Sequence, residues 1–277
     1  MSTSKKETEE TFRKIIDNCN AGNEAGLEFL LHMRCIGFNG EDCLTGDFAH
    51  RLNRPFGANS TNVVKIDTIL VDGFSSNLAA RLINKTTLRD SGTVFEYAEI
   101  VFSEFTNASL LWWRSLRDED AVFSREFSTV STMPSPPPAS QPSSEMSVQD
   151  MKTFYQRYIK CINDKTMTRN FAQFCQPELI HNDRKFSIAE YIPLISESQD
   201  AIDDLYFEID EMVADEETQQ IAARLEFTGT PVKEWGGAKP NGNEVEFHEH
   251  AIYQLVGGKI SRVSSVIELD VYRQQMM

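Results

Sequence analysis

Three of the five histidines in this 277-residue chain, His181, His248 and His250, fall in its second half among many carboxylates. An imidazole titrates near neutrality, so it can take a proton from a substrate and return it, and a neighbouring carboxylate fixes which ring nitrogen carries it. His248 and His250 form an H-x-H pair, and on a strand residues two apart face the same side. Joined by His181 or Glu268, such a pair would also offer metal donors. No second metal motif accompanies it, and chemistry without a metal is the expectation. Glu249 alternates with apolar Val245, Phe247, Ala251 and Tyr253, as a pocket acid or as a structural ion-pair partner of Arg224 would. The cysteines (Cys19, Cys35, Cys43, Cys161, Cys175) are odd in number and include no C-x-x-C. Free, buried thiols in a reducing compartment follow.

The elements that must position these groups are legible in outline. Met151–Asn163 carries Phe154, Tyr158 and Cys161 at helical spacing. Asn170–Cys175 suggests a short second helix. Ser187-Ile-Ala-Glu190 has the form of a capping box and opens a third, carrying Ile192 and Ile195. Strand-like runs follow at Leu205–Val213, Gln219–Thr228, Asn243–Leu255 and Lys259–Leu269, with tight turns expected at Asp215-Glu216 and Gly257-Gly258. Helices first and antiparallel strands afterwards is the α+β order, with helices packed on one face of a curved sheet.

The same order occurs twice. Phe127–Ser147 holds five of the ten prolines, many serines and almost no charge, and reads as a semi-extended linker. It separates residues 1–126 from 148–277. At a shift of 142, Thr11-Phe12, Cys19 and Phe29 meet Thr153-Phe154, Cys161 and Phe171, and the helix-start residues Thr45 and Ser187 coincide. After one inserted residue, Ile66-Asp67 meets Ile209-Asp210, Asp72 meets Asp215, and the tetrapeptide AARL at Ala79–Leu82 recurs at Ala222–Leu225. After a seven-residue insertion Glu99, Ser115 and Asp118 meet Glu249, Ser265 and Glu268. This is the pattern of a tandem duplication.

A formal charge of −15 argues against a general nucleic-acid binder. No apolar run is long enough to span a membrane, and MSTSKKETEE is too polar for a signal peptide, so a cytoplasmic protein is expected.

Phe227–Asp270 contains T-G-T, a Trp-Gly before P-x-G, a V-x-F strand, and G-K-I leading into a strand that ends in an acid. Upstream, Pro177-Glu-Leu-Ile-His181 matches a strand after the second helix that commonly ends in His. In these marks the second copy resembles the SnoaL-like polyketide cyclase group of the nuclear-transport-factor-2-like superfamily, and the first does so through its alignment with the second. The resemblance implies two cone domains, each a curved antiparallel sheet with helices over its concave face around a pocket. It also implies cofactor-independent cyclisation, isomerisation or dehydration of a small apolar polyketide- or terpenoid-like substrate in secondary metabolism. A non-catalytic ligand-binding or protein-interaction module is the alternative, because fold alone does not give function.

The resemblance places Glu268 where a catalytic Asp or Glu is common, making His248, Glu268 and His181 the candidate acid–base groups. It makes Tyr158, Trp235, Glu249 and His250 candidates for the substrate pocket. Each has a plainer reading: His181 can cap a strand end, His250 can face solvent or a dimer partner, and Tyr158 can be a core tyrosine. In the first copy Asn39, Ala98, Ile100 and Asp118 stand for His181, His248, His250 and Glu268, so a site is expected only in the second. The first copy, with Trp112-Trp113, reads as a degenerate partner. The two would form a pseudo-dimer within the chain, or the chain a homodimer.

Overall fold

The computed structural model describes residues 4–31, 35–73, 76–124 and 145–277. The chain divides into two compact units, residues 1–135 and 136–277. Most of the expected linker lies outside the described residues. Its last two residues belong to the second unit: Ser147 caps a helix, and the Met146 backbone exchanges two hydrogen bonds with the Gln219 side chain, each 2.9 Å.

The first unit runs α1 (Lys5–Ala21), α2 (Glu24–Leu27), β1 (Cys35–Phe38), β2 (Glu41–Leu44), α3 (Thr45–Asn53), β3 (Ser60–Val71), β4 (Asn77–Leu88), β5 (Val94–Thr106), β6 (Ser109–Arg117) and α4 (Glu119–Ser124). The second repeats it with α5 (Val148–Asn163), α6 (Met167–Phe174), β7 (Cys175–His181), β8 (Arg184–Ser187), α7 (Ile188–Ala201), β9 (Ile202–Asp215), β10 (Gln220–Pro231), β11 (Val245–Val256), β12 (Lys259–Ile267) and α8 (Leu269–Gln275). Each unit has its own six-stranded sheet, ordered β2-β1-β6-β5-β4-β3 and β8-β7-β12-β11-β10-β9. Both sheets are mixed, because β1 joins β6 and β7 joins β12 in parallel.

Local chemistry accounts for the boundaries. Ser187 and Glu190 form the expected capping box and start α7. Asp215 Oδ1 accepts from the backbones of Glu217 and Thr218 and turns β9 into β10. Gly257 and Gly258 both take positive φ, as the two-residue hairpin between β11 and β12 requires.

The duplication is visible in matched hydrogen bonds, which also correct its register. Ser4 and Ser147 cap α1 and α5. Asn20 clamps the backbone of Val64 as Asn163 clamps that of Phe207. Asn39 and Asn182, both at positive φ, accept from the backbones of Ser115 and Ser265. Asp67 and Asp210 sit in equivalent bulges and bind Arg81 and Arg224. Up to Arg81 and Arg224 these pairs share one offset of 143, and Ser115 and Ser265 keep the expected 150 beyond the insertion, so the expected offset of 142 with a later single-residue insertion is wrong. Identical residues along the first helix favour 142, whereas the buried stripe fits only 143. Phe12, Ile15 and Cys19 correspond to Tyr155, Tyr158 and Ile162, all buried. The counterpart of His181 is therefore Phe38, not Asn39. The counterpart of Ser187 is Leu44, not Thr45, and Leu44 caps α3 without a side-chain hydrogen bond.

Candidate functional site

A cavity of about 190 Å³ lies in the second unit between the sheet and the helices α5 and α7. Strand parity decides what reaches it. On β11, Val245, Phe247, Ala251, Tyr253 and Leu255 belong to the core, and Glu249, of the same parity, opens into the cavity. His248 and His250 have the opposite parity and lie on the other face of the sheet.

His181 ends β7 and enters the cavity from beside β12, with its ring against Tyr191 of α7 (centroids 5.6 Å apart). Its Nε2 is 3.1 Å from Ser265 Oγ. Ser265 shares the inward parity of Val263 and Ile267 on β12, and its hydroxyl also hydrogen-bonds the Glu249 carboxylate. The three polar side chains thus meet in one line. Around them are four tyrosines: Tyr155 donates to the Tyr253 hydroxyl (3.2 Å), and the hydroxyls of Tyr158 and Tyr191 are 3.5 Å apart.

Trp235 closes another side. Gly236 and Gly237, both at positive φ, fold the chain back between Trp235 and Ala238, which bridge to each other. Gly236 holds a φ of +57° that favours glycine, and a Cβ there would lie a tight 3.2 Å from Leu269 Cδ2. The turn stacks the indole edge-to-face with Tyr272 at 5.0 Å.

The electrostatics follow from burial. Desolvation, aided by the Arg184 charge, pushes the His181 imidazole down to about 4. Desolvation pushes the Glu249 carboxyl up to about 7, opposed by its hydrogen bond from Ser265. Burial holds the hydroxyls of Tyr155, Tyr158 and Tyr253 well above their usual range, so they remain donors. At neutral pH the cavity therefore holds a neutral imidazole, a carboxyl at its midpoint and neutral phenols. That set can accept a proton and donate hydrogen bonds to a carbonyl oxygen.

Of the candidates named from sequence, the structure brings His181, Glu249, Tyr158 and Trp235 to this cavity. His248 and Glu268 do meet, with Nδ1 3.0 Å from Glu268 Oε2, but outside the residues that line the cavity. Glu268 there also accepts from the His248 backbone (3.1 Å) and precedes α8, so it ties the end of β12 to β11. His250 is fully buried and accepts from Arg224 Nη1 at 2.8 Å, so it is neither a pocket residue nor solvent-facing. Arg224 pairs with Asp210 rather than with Glu249, which removes the ion-pair reading of that acid.

Among the described residues, His248 with Glu226 and Glu246 forms a metal-type donor set, its ligand atoms within 4.8 Å of one another. His181 and Glu268 take no part in it. Sequence reading passed over Tyr191, Tyr253 and Ser265. The match of Ser115 with Ser265 was the available signal for the last.

The first unit has bulkier apolar side chains at equivalent positions. Phe38 stands in place of His181 and Trp113 in place of Val263. Trp113 stacks on Phe12 (5.7 Å) and meets Phe48 edge-on (5.6 Å), and all three are almost fully buried. Glu99 keeps the place of Glu249 but accepts from Asn84 Nδ2 (2.9 Å) and lies near Arg117.

Residues 152–276 match the family model of the SnoaL-like polyketide cyclases. Among solved structures, a SnoaL-like polyketide cyclase from Agrobacterium tumefaciens is 29% identical and covers 48% of this chain and 100% of its own, with a TM-score of 0.44. AclR, a putative hydroxylase from Streptomyces galilaeus, is 23% identical over 47% of this chain and 97% of its own, with a TM-score of 0.42. TsrD from Streptomyces laurentii is 18% identical over 48% of this chain and 98% of its own, with a TM-score of 0.44. No curated protein matches the sequence.

Proposed function

We propose that the second unit, which over residues 152–276 matches the family model of the SnoaL-like polyketide cyclases, is a cofactor-independent acid–base catalyst. It cyclises, isomerises or dehydrates a small polyketide- or terpenoid-like molecule of secondary metabolism. The observation that carries this reading is that His181 and Glu249, both lining an apolar, tyrosine-rich cavity, meet through Ser265 behind its wall. A carbon acid held there would lose its proton to this group while a tyrosine hydroxyl stabilises the enolate oxygen. A carboxyl near 7 suits this role, since an effective base has a pKa close to the working pH. Proton transfer and carbonyl polarisation both have protein groups, so no organic cofactor or metal is invoked.

The first unit supports a second reading for itself alone. Phe12 and Phe48 pack on Trp113, which stands where the second unit has Val263 of the cavity wall, and this apolar packing suits a non-catalytic binding or interaction module.

The test is exchange of α-protons for deuterium in aromatic polyketone esters and terpenoid enones, followed by NMR with the full chain. Glu249→Gln and His181→Gln should slow exchange by roughly 10²–10⁴-fold. His248→Ala and Asp118→Ala should stay within about twofold of the native rate, since His248 lies outside the cavity lining and Asp118 in the first unit. Full exchange in Glu249→Gln, or an equal loss in His248→Ala, would sink the assignment.

A further inference from the structure

His181 alone would be a poor base. Buried beside Arg184, its imidazole holds a proton only near pH 4, whereas the Glu249 carboxyl holds one up to about 7. The stronger base and the imidazole touch the same atom, Ser265 Oγ, which is 3.1 Å from His181 Nε2 and bonded to Glu249. A hydroxyl gives one proton and accepts others, so it passes a proton through without changing its own state.

Resting on the acid–base reading above, we propose that Ser265 is a proton bridge through which His181 and Glu249 act as one base. With Glu249 ionised, Ser265 O–H donates to the carboxylate and His181 Nε2–H donates to Ser265 Oγ, leaving the lone pair of Nδ1 free. A proton taken by Nδ1 from a carbon acid leaves the electron pair on the substrate as its enolate. The Nε2 proton then moves to Ser265 Oγ, and the Ser265 proton moves to Glu249. The end state is a neutral carboxylic acid, an unchanged serine and a neutral imidazole protonated on Nδ1. One proton has entered, no charge remains on the ring, and the imidazole has exchanged tautomers. The reverse order returns the proton to the product.

The groups facing this line are the hydroxyls of Tyr155 and Tyr158 from α5, Tyr191 and Glu197 from α7, Tyr253 from β11, and Arg184 from β8. Arg184 bears on His181, but no lysine or arginine is among the described residues that line the cavity beside Glu249. The first unit is an internal contrast. Ser115 still bonds Glu99, but Phe38 ends the line where His181 would extend it. Ser265 is thus a positioning and bridging residue, acting through the two groups on either side of it.

The bridge predicts a linked titration that needs no substrate. In the full chain labelled with ¹⁵N-histidine, the His181 resonances, assigned by their loss in His181→Gln, should report the Nδ1–H tautomer at pH 5. They should report the Nε2–H tautomer at pH 9, with a midpoint near that of Glu249. Ser265→Ala and Glu249→Gln should each abolish the switch, and Ser265→Thr, which keeps the hydroxyl, should restore it. One tautomer throughout the range in the native chain overturns the proposal, as does a switch that survives in either Ser265→Ala or Glu249→Gln. If Ser265→Ala fails to fold, Glu249→Gln, nearly isosteric, decides alone. The two readings fail separately. A tautomer switch without any α-proton exchange would refute the enzyme and leave the bridge, and exchange without the switch would do the opposite.

Discussion

Glu249→Gln should alter how stability depends on pH more than it alters stability at any single pH. An unfolded glutamate releases its proton near 4.5, and the folded chain holds that of Glu249 up to about 7. Between those values the folded state binds more protons, so this side chain's contribution is fully present below 4.5 and is lost as pH rises through 7. The difference of about 2.5 pKa units corresponds to about 3 kcal/mol at ~1.4 kcal/mol per unit. His181 acts in the opposite direction, since its pKa falls from 6.5 to about 4 on folding, so stability rises as pH climbs through that interval. In the native chain the two nearly cancel between pH 4.5 and 6.5. In Glu249→Gln only the histidine contribution remains, and stability should rise across that window. Glu99, also held up by burial, contributes equally to both proteins and drops out of their difference. Urea unfolding of the two full-length chains at pH 4.5 and pH 8, followed by circular dichroism and tryptophan fluorescence, measures the effect. The variant should gain about 3 kcal/mol relative to native between the two conditions, or roughly 10 °C in the melting temperature of the second unit. A native-to-variant gap that changes by less than about 0.5 kcal/mol would show that Glu249 is ionised in the folded chain as in the unfolded one, and the acid–base reading would lose its poised carboxyl.

Leu44, 59% exposed and capping α3 with no side-chain hydrogen bond, stands where α7 has Ser187. Leu44→Ser should stabilise the first unit by about 1 kcal/mol in urea melts, and an unchanged midpoint would refute the corrected register. Burial pushes the thiols of Cys19 and Cys175 up to about 12, so a thiol reagent at pH 8 should modify them only as fast as the folded chain opens. Rapid labelling of either, located by mass spectrometry, would contradict their placement.

Much of this architecture depends on near neighbours in the chain, and so it was legible before any coordinates. The capping box at Ser187, the glycine hairpin at Gly257-Gly258 and the order of helices before strands each rest on contacts within a few residues. The duplication was legible because AARL and the matched acids recur in order. The face taken by Glu249 was written in its alternation with Val245, Phe247, Ala251 and Tyr253. That same alternation puts His248 and His250 on the opposite side, and the family resemblance had drawn them toward the pocket against it. The match with His181 failed by one residue because identical Thr, Phe and Cys residues coincide at an offset of 142, one short of the offset the structure uses. The buried stripe of α1 and the paired clamps at Asn20 and Asn163 leave only the latter. Tertiary structure alone decided that residues 181, 249 and 265 meet. Their contact depends on β7 lying parallel to β12 and β11 antiparallel to it, pairings between segments far apart in the chain. It also decided that Phe12 and Phe48 pack on Trp113 in one copy, where the other has Val263 at a cavity wall. What a tryptophan does depends on what stands opposite: Phe12 stacks on Trp113 and Phe48 meets it edge-on, whereas Tyr272 and the turn at Gly236 hold Trp235 at the cavity wall.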